Sequence, residues 1–213
     1  MKRLVDIILS IFALLILSPL LIPVCIVLLL TGEHYVFYTQ KRTGIGGGEF
    51  GLIKFVTMLK NSPNIGSGDV TLQSDPRVLP VGRFLRSSKI NEIPQLLNIL
   101  FGDMSFVGPR PLTPRVFNYY ADEAKKIIVQ MKPGLTGAGS IIFRDEESII
   151  GNSKLPWEEC FRQEIMPRKA ALEKWYFLHK GLLTDFLLIF ITGWVVFFPT
   201  SNLMSKVFKD LPE

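Results

Sequence analysis

The chain has 213 residues, room for one domain of ordinary size with attached elements but not for a second large domain. With 24 Lys+Arg against 19 Asp+Glu, the net charge of +5 and pI of about 9.2 point to an anionic partner, without choosing among nucleic acid, acidic headgroups and a phosphorylated substrate. The two cysteines, Cys25 and Cys160, and two histidines, His34 and His179, exclude a disulfide framework and a histidine-rich zinc site, while 48% hydrophobic residues and a mean hydropathy of +0.31 place part of the chain in lipid.

From Ile7 to Leu30 the sequence carries no charge, and as a helix it would reach about 36 Å, enough to cross a bilayer core. Ser18-Pro19 and Pro23 stand in its middle, where proline removes a helix hydrogen bond and favours a kink. Basic residues flank both ends, Lys2 and Arg3 before, Lys41 and Arg42 after, so the positive-inside rule gives no orientation. Two topologies stay open: a straight anchor, or a helix broken at Ser18-Pro19 that returns to the face it entered. A cleaved signal peptide does not fit the length of the run or the sequence after it.

After Tyr38 the composition becomes that of a globular domain. Aromatic and β-branched pieces flank a glycine-rich stretch, Gly44 to Gly48, that reads as a hairpin turn; it lacks the Lys-Ser/Thr ending of a P-loop and the spacing of a dinucleotide fingerprint. Asn61 to Gly68 reads as a polar loop, and from Gly82 the pattern turns helical. Phe117 to Met131 predicts an amphipathic helix ended by Pro133-Gly134, and Trp157 to His179 a third helical region. The thirteen uncharged residues Phe186 to Phe198 are too few to span a bilayer; with Lys174, Lys180, Trp175 and Trp194 around them they suit a helix in the membrane interface, with a core helix as the alternative.

The densest chemistry runs from Ser87 to Leu112, SSKINEIPQLLNILFGDMSFVGPRPL. Ile90, Ile93, Leu97 and Leu100 follow helical spacing and Gly102 supplies a stop. Proline is tolerated in a first helical turn, so Asn91 is expected as N-cap, with Glu92 and Pro94 in that turn at the positive end of the helix dipole. Arg83, Arg86 and Lys89 add positive charge nearby. Gly108-Pro109-Arg110-Pro111 is a stiff turn presenting an arginine, to a phosphate or, in the plainer reading, to Asp103. Lys54, Arg77 and Arg83 are candidate diphosphate contacts or simply solvated cations, and Asp75 before Pro76 shapes a turn.

DPRVLPVGRFLRSSKINEIPQLLNILFGDMSFVGPRPL resembles the signature of the bacterial sugar transferases, the monotopic phosphoglycosyl transferases. FYTQKRTG resembles the family's aromatic-x-Gln-x-Arg-x-Gly block, KFVTM its Lys-Phe-Arg-Thr-Met block, and KPGLTGAGSI its Arg-Pro-Gly-Ile-Thr-Gly block; the apolar run with Ser18-Pro19 is similar to its re-entrant helix. The resemblance implies a helix-rich α+β protein, monotopic on the inner membrane of a bacterium with the catalytic domain in the cytosol. Its parts would be a re-entrant helix (1–35), a catalytic domain (36–180) and an interfacial amphipathic helix with tail (181–213). It implies transfer of a phosphosugar from a UDP-sugar to polyprenol (undecaprenyl) phosphate with Mg²⁺, releasing UMP, at the first membrane step of polysaccharide or glycoconjugate synthesis. Membrane lipids are then the expected surroundings and nucleic acid is not an expected partner; assembly is left open, a homodimer included.

Three departures from the family pattern stand out. Asn91 occupies the place of the family's nucleophilic Asp, and an amide cannot form the acyl phosphate. Val56 stands where a basic residue is usual, and FRDEESI, Phe143 to Ile149, is acidic where relatives are more neutral. Three readings stay open: Glu92 as nucleophile or metal ligand, with Asp145 and Glu146 replacing the missing carboxylate; direct in-line attack by the lipid phosphate; or a non-catalytic member that binds nucleotide sugar or polyprenol phosphate as a regulatory or assembly subunit. The candidate residues are therefore Glu92 and Asn91 at the chemistry, Arg110, Arg83, Lys54 and Arg77 at phosphate, and Glu92 with Asp145 at the metal. Ser18, Pro19, Gly108, Pro109, Pro111 and Asp103 are expected to hold the frame.

Overall fold

A computed structural model describes residues 1–65 and 74–212. The part of the expected polar loop from 66 to 68 lies outside the described residues. In chain order the elements are α1 (Lys2–Leu30), β1 (Phe37–Thr43), β2 (Glu49–Phe55), α2 (Pro80–Ser87), α3 (Gln95–Phe101), β3 (Ser105–Val107), α4 (Pro114–Phe117), α5 (Asp122–Ile128), β4 (Gly134–Thr136), α6 (Ala138–Ile142), α7 (Glu146–Asn152), α8 (Trp157–Cys160), α9 (Met166–His179), α10 (Leu182–Phe197) and α11 (Leu203–Val207). The protein is thus α+β and rich in helix. It divides into two compact units, Met1–Lys41 with Gly51–Gly102, and Arg42–Phe50 with Asp103–Glu213.

In the first unit, α1 runs unbroken through both prolines. Pro19 has no N–H, so the Leu15 carbonyl loses its partner one turn earlier; the Ser18 hydroxyl replaces it, donating to that carbonyl at 2.8 Å. The helix is long and apolar enough to cross a membrane, and most of it is bare: Leu15 is 68% exposed. Its two ends, in contrast, both engage the rest of the unit. At the start, Asp6 and Ser10 are buried, and Arg3 donates to the carbonyls of Ile99 and, at 2.7 Å, of Leu100, placing a cation on the negative end of α3. At the far end Leu28 joins Phe55 and Leu85 in a core lined by Val36, Val81 and Ile90.

β1 and β2 pair across the glycine-rich turn as expected, with a 3₁₀ turn at Ile45–Gly47 and left-handed φ at Gly46 and Gly47. α2 passes so close to the strand exit that a Cβ on Gly82 would stand 2.1 Å from the Thr57 carbonyl oxygen. The stop at Gly102 is as the pattern predicts: its φ is 102° and its N–H closes onto the Asn98 and Ile99 carbonyls.

In the second unit β3 and β4 are parallel, Ser105 opposite Gly134 and Val107 opposite Thr136, joined by a crossover through α4 and α5. The helix expected over Phe117 to Met131 is shorter: α4 ends at Phe117, the chain leaves helical geometry between Asn118 and Ala121, and α5 takes up only Asp122–Ile128. The region from Trp157 to His179 is helical throughout, passing through one π turn at Phe161–Ile165. α10 begins four residues before the expected apolar run and ends at Phe197; Leu188 and Ile191 are buried while Leu183, Phe190 and Phe197 are 75%, 61% and 79% exposed. One face packs inward and the other presents bare aromatic and aliphatic surface.

Candidate active site

In the first unit, the residues expected at the chemistry are held by a clasp that sequence reading missed. Asn98 on α3 is 1% exposed; its Oδ1 accepts the Ile53 N–H at 2.9 Å and its Nδ2 donates to the Gly51 carbonyl at 2.7 Å. A carboxamide presents one acceptor and one donor side by side, so it pairs with β2 much as a neighbouring strand would. The clasp fixes β2 against the segment that carries Asn91 and Glu92. Lys54, the next strand residue, then reaches Glu92 with 3.9 Å between Nζ and Oε1, each side chain only partly covered.

The expected N-cap is corrected by the structure. Ile90–Glu92 is a 3₁₀ turn entered from Lys89 in the left-handed region, and α3 begins only at Gln95, with no side-chain cap. Proline at 94 starts the α-helix later than the apolar spacing suggests. Asn91 is 5% exposed, and its Oδ1 has no hydrogen-bond partner among the described residues. A buried amide oxygen without a partner is costly, and such an atom is where a ligand's donor or a cation would be accepted.

The remaining basic candidates separate. Arg83 is exposed on α2 and can reach solvent-borne anions. Arg77, expected at a diphosphate, is instead 3% exposed: its guanidinium grips Asp75 in a fork (Nε to Oδ1 2.9 Å, NH2 to Oδ2 2.5 Å) and donates to the carbonyls of Ser62 and Ile65 at 2.9 and 2.8 Å. That hydrogen bonding raises the guanidinium pKa further and makes Arg77 the organiser of a loop. Two residues of separation allow the fork, so the Asp-Pro-Arg order was its visible sign.

In the second unit the Gly108-Pro109-Arg110-Pro111 turn is stitched to β4. Gly108 donates to Thr136 at 3.0 Å and Gly134 to Pro109 at 2.8 Å, and a Cβ on Gly108 would stand 2.2 Å from the Lys132 carbonyl oxygen. From the hairpin tip, Arg42 donates to the Pro111 carbonyl at 3.2 Å and Thr43 to that of Leu112 at 2.9 Å. The arginine is half-buried on a frame with little freedom.

Behind it lies a buried ionic group that the sequence did not announce. Glu173 on α9 is 1% exposed and its carboxyl accepts the backbone N–H of Arg110. Burial pushes its pKa up to about 7 against the opposing pull of Lys169. Lys169, 3% exposed, is pushed down by burial and is paired with Glu146. The only sign in sequence was an apolar helix face, Ile165, Met166, Leu172 and Tyr176, interrupted by Lys169 and Glu173 at a spacing of four.

Asp145 is exposed at the entry to α7 and makes no side-chain cap there. Among the described residues no three His, Cys, Asp or Glu side chains are grouped to hold a metal ion. Mg²⁺ does not need such a group, since it binds through one or two protein carboxylates together with phosphate oxygens and water. Glu92 and the unpartnered Asn91 oxygen offer the hard oxygen donors it prefers.

The chain belongs to the bacterial sugar transferase family, whose sequence profile matches residues 1–199. Among its relatives, the exopolysaccharide production protein ExoY of Sinorhizobium fredii is 32% identical over 205 residues, covering 90% of this chain and 83% of that protein. The undecaprenyl-phosphate galactose phosphotransferase of Salmonella typhimurium is 31% identical over 211 residues, 92% of this chain but 40% of the relative. The UDP-glucose:undecaprenyl-phosphate glucose-1-phosphate transferase of Caulobacter vibrioides is 35% identical over 144 residues, 66% of this chain and 53% of the relative. The chain thus spans most of the first protein and about half or less of the other two.

Proposed function

We propose that this protein transfers a phosphosugar from a UDP-sugar to undecaprenyl phosphate, the opening membrane step in building an exopolysaccharide or related glycan. The observation that carries the reading is the family match over nearly the whole chain, from the membrane helix through both candidate groups of residues. In balance, the phosphorus–oxygen bond to UMP breaks, a new one forms to the lipid phosphate, and UMP leaves.

In the first unit Lys54 and Arg83 are the residues proposed to take the negative charge of the nucleotide diphosphate; in the second, Arg110 is the proposed phosphate contact. Glu92, with the Asn91 oxygen beside it in sequence, would hold Mg²⁺. When bound there, such an ion would supply charge neutralisation on the diphosphate. Lys54 keeps the Glu92 carboxylate directed until substrate arrives. Asn91 holds an oxygen in place without attacking; Glu92 is the side chain left to act as nucleophile, and direct attack by the lipid phosphate is the alternative route. Asp145, exposed and uncapped, is not required by this account.

Both ends of α1 engage the same unit, through Arg3 and Leu28, which supports a monotopic placement with both ends at the cytosolic face and the bare middle of the helix in lipid. The exposed face of α10 suits the bilayer interface.

The test is UMP release by the full chain in nanodiscs with undecaprenyl phosphate, Mg²⁺ and a panel of UDP-sugars, beside Glu92→Gln and Asn91→Asp. Lipid-dependent UMP that Glu92→Gln abolishes is the expected result, and labelled phosphosugar trapped on the protein would separate the Glu92 route from direct attack. Asn91 favours a second reading, a binding subunit without chemistry. UMP appearing only with Asn91→Asp would establish that reading and sink the first.

A further inference from the structure

Within Gly108-Pro109-Arg110-Pro111 the two prolines have no N–H to donate. The Gly108 N–H is already spent on Thr136 at 3.0 Å, so the Arg110 N–H is the one remaining backbone donor in the turn, and Glu173 accepts it. The frame holds the turn from the β4 side, through Gly108 and Gly134, and from the hairpin tip, through Pro111 and Leu112. Glu173 holds it at the arginine itself. α6 makes room for this carboxyl: a Cβ on Gly139 would stand 2.5 Å from Oε1, so only glycine leaves the carboxyl where it is. The second oxygen, Oε2, is buried with no hydrogen-bond partner among the described residues, so local satisfaction does not explain why a carboxyl stands here.

We infer that Glu173 is a positioning residue for Arg110, fixing the backbone from which the guanidinium reaches the phosphate. The inference rests on the reading of Arg110 as a phosphate contact. Around Glu173 the charged and titratable groups are Lys169, one turn earlier on α9, Glu146, which pairs with Lys169, Arg110 and the buried Tyr120. Lys169 also lies between aromatic rings, 5.5 Å from that of Phe143 and 5.3 Å from that of Phe161, which keeps it on the buried side of the helix. The carboxyl therefore has a fixed cation behind it and the turn in front.

The experiment uses the full chain in nanodiscs and reads both UMP release against UDP-sugar concentration and equilibrium binding of the UDP-sugar. The variants are Glu173→Leu, Glu173→Gln, Gly139→Ala, Arg110→Ala and the two doubles that combine Arg110→Ala with Glu173→Leu or with Gly139→Ala. Gly139→Ala moves the carboxyl without removing it. Glu173→Leu and Gly139→Ala are expected to raise the KM and the binding Kd for UDP-sugar by roughly tenfold with a smaller change in kcat, as loss of one charge-assisted hydrogen bond would do. Glu173→Gln, which keeps an acceptor oxygen, stays within about threefold on the same scale.

The decisive readout is the double variants: if Glu173 works through Arg110, removing or displacing it costs nothing more once Arg110 is alanine. Independent, multiplying effects would overturn the inference, as would wild-type KM and Kd in folded Glu173→Leu. Should Glu173→Leu fail to fold, Gly139→Ala with and without Arg110→Ala completes the same cycle. Unchanged KM and Kd in Arg110→Ala alone would remove the phosphate reading of Arg110 instead, and with it the premise. Binding is measured so that a chain without turnover still gives the answer.

Discussion

At the scale of single residues, Asn98 does the most with the least. Its carboxamide satisfies a strand N–H and a strand carbonyl together, so Asn98→Ala strands two partly buried backbone groups as well as opening a small void. The expected cost is about 2–4 kcal/mol, read as a fall in thermal or denaturant midpoint, with a raised KM because Lys54 lies on the strand the clasp holds. Arg77 gives the contrasting expectation. Arg77→Ala should lower stability by roughly 3–5 kcal/mol through loss of a buried fork to Asp75. In a folded preparation it should leave the salt dependence of UDP-sugar binding nearly unchanged, which an arginine on the diphosphate would not. Arg77 was misread because its partner, Asp75 two residues earlier, was taken only to shape a turn. Glu92 and Lys54 were singled out from separate blocks of the sequence, but that they face each other at 3.9 Å needed the fold, because strand β2 and the turn at Ile90–Glu92 have no local link.

At the scale of elements, glycine marked turns and stops well, while apolar spacing and local capping misplaced where helices begin. The stop at Gly102 follows from a left-handed φ that glycine adopts without strain. The start of α3 did not follow, because a 3₁₀ turn absorbed Asn91 and Glu92 before Pro94 and left the amide oxygen unsatisfied. The break between α4 and α5 escaped for a related reason: apolar periodicity carries across a change of helix when both halves pack on one core. For contacts made across long stretches of chain, such as Glu173 against the Arg110 turn, a local pattern can show that a charged group is buried but not what it meets. The close pass at Gly82 supports a sharp expectation. Gly82→Ala would set a methyl 2.1 Å from the Thr57 carbonyl oxygen, backbone that cannot swing aside, so it should yield protein that aggregates or unfolds early in a thermal melt.

At the scale of the molecule, the pH response of stability should carry the mark of Glu173. Its carboxyl titrates near 4.5 when the chain is unfolded and about 7 when folded, so between those values the folded protein holds the extra proton. Stability from this group is present at low pH and is lost as pH rises through that window. Midpoints of chemical unfolding measured from about pH 5 to about pH 8 should show that decline relative to Glu173→Gln, which has no proton to lose. A parallel response in the two proteins would mean that the carboxyl is ionised throughout. Placement in the membrane has its own check: cysteines introduced at Lys2 and Glu33 should both be labelled from the cytosolic side. Labelling from opposite sides would mean a spanning helix.

The Ser18 hydroxyl on the Leu15 carbonyl has a consequence for how such a helix tolerates lipid. A proline in hydrocarbon ordinarily leaves a bare carbonyl dipole with no water to cover it. Here a surrogate donor travels with the proline, one residue ahead, so the helix can flex at that point without uncovering a polar atom. Bending then costs geometry alone, and the two residues behave as a sealed joint.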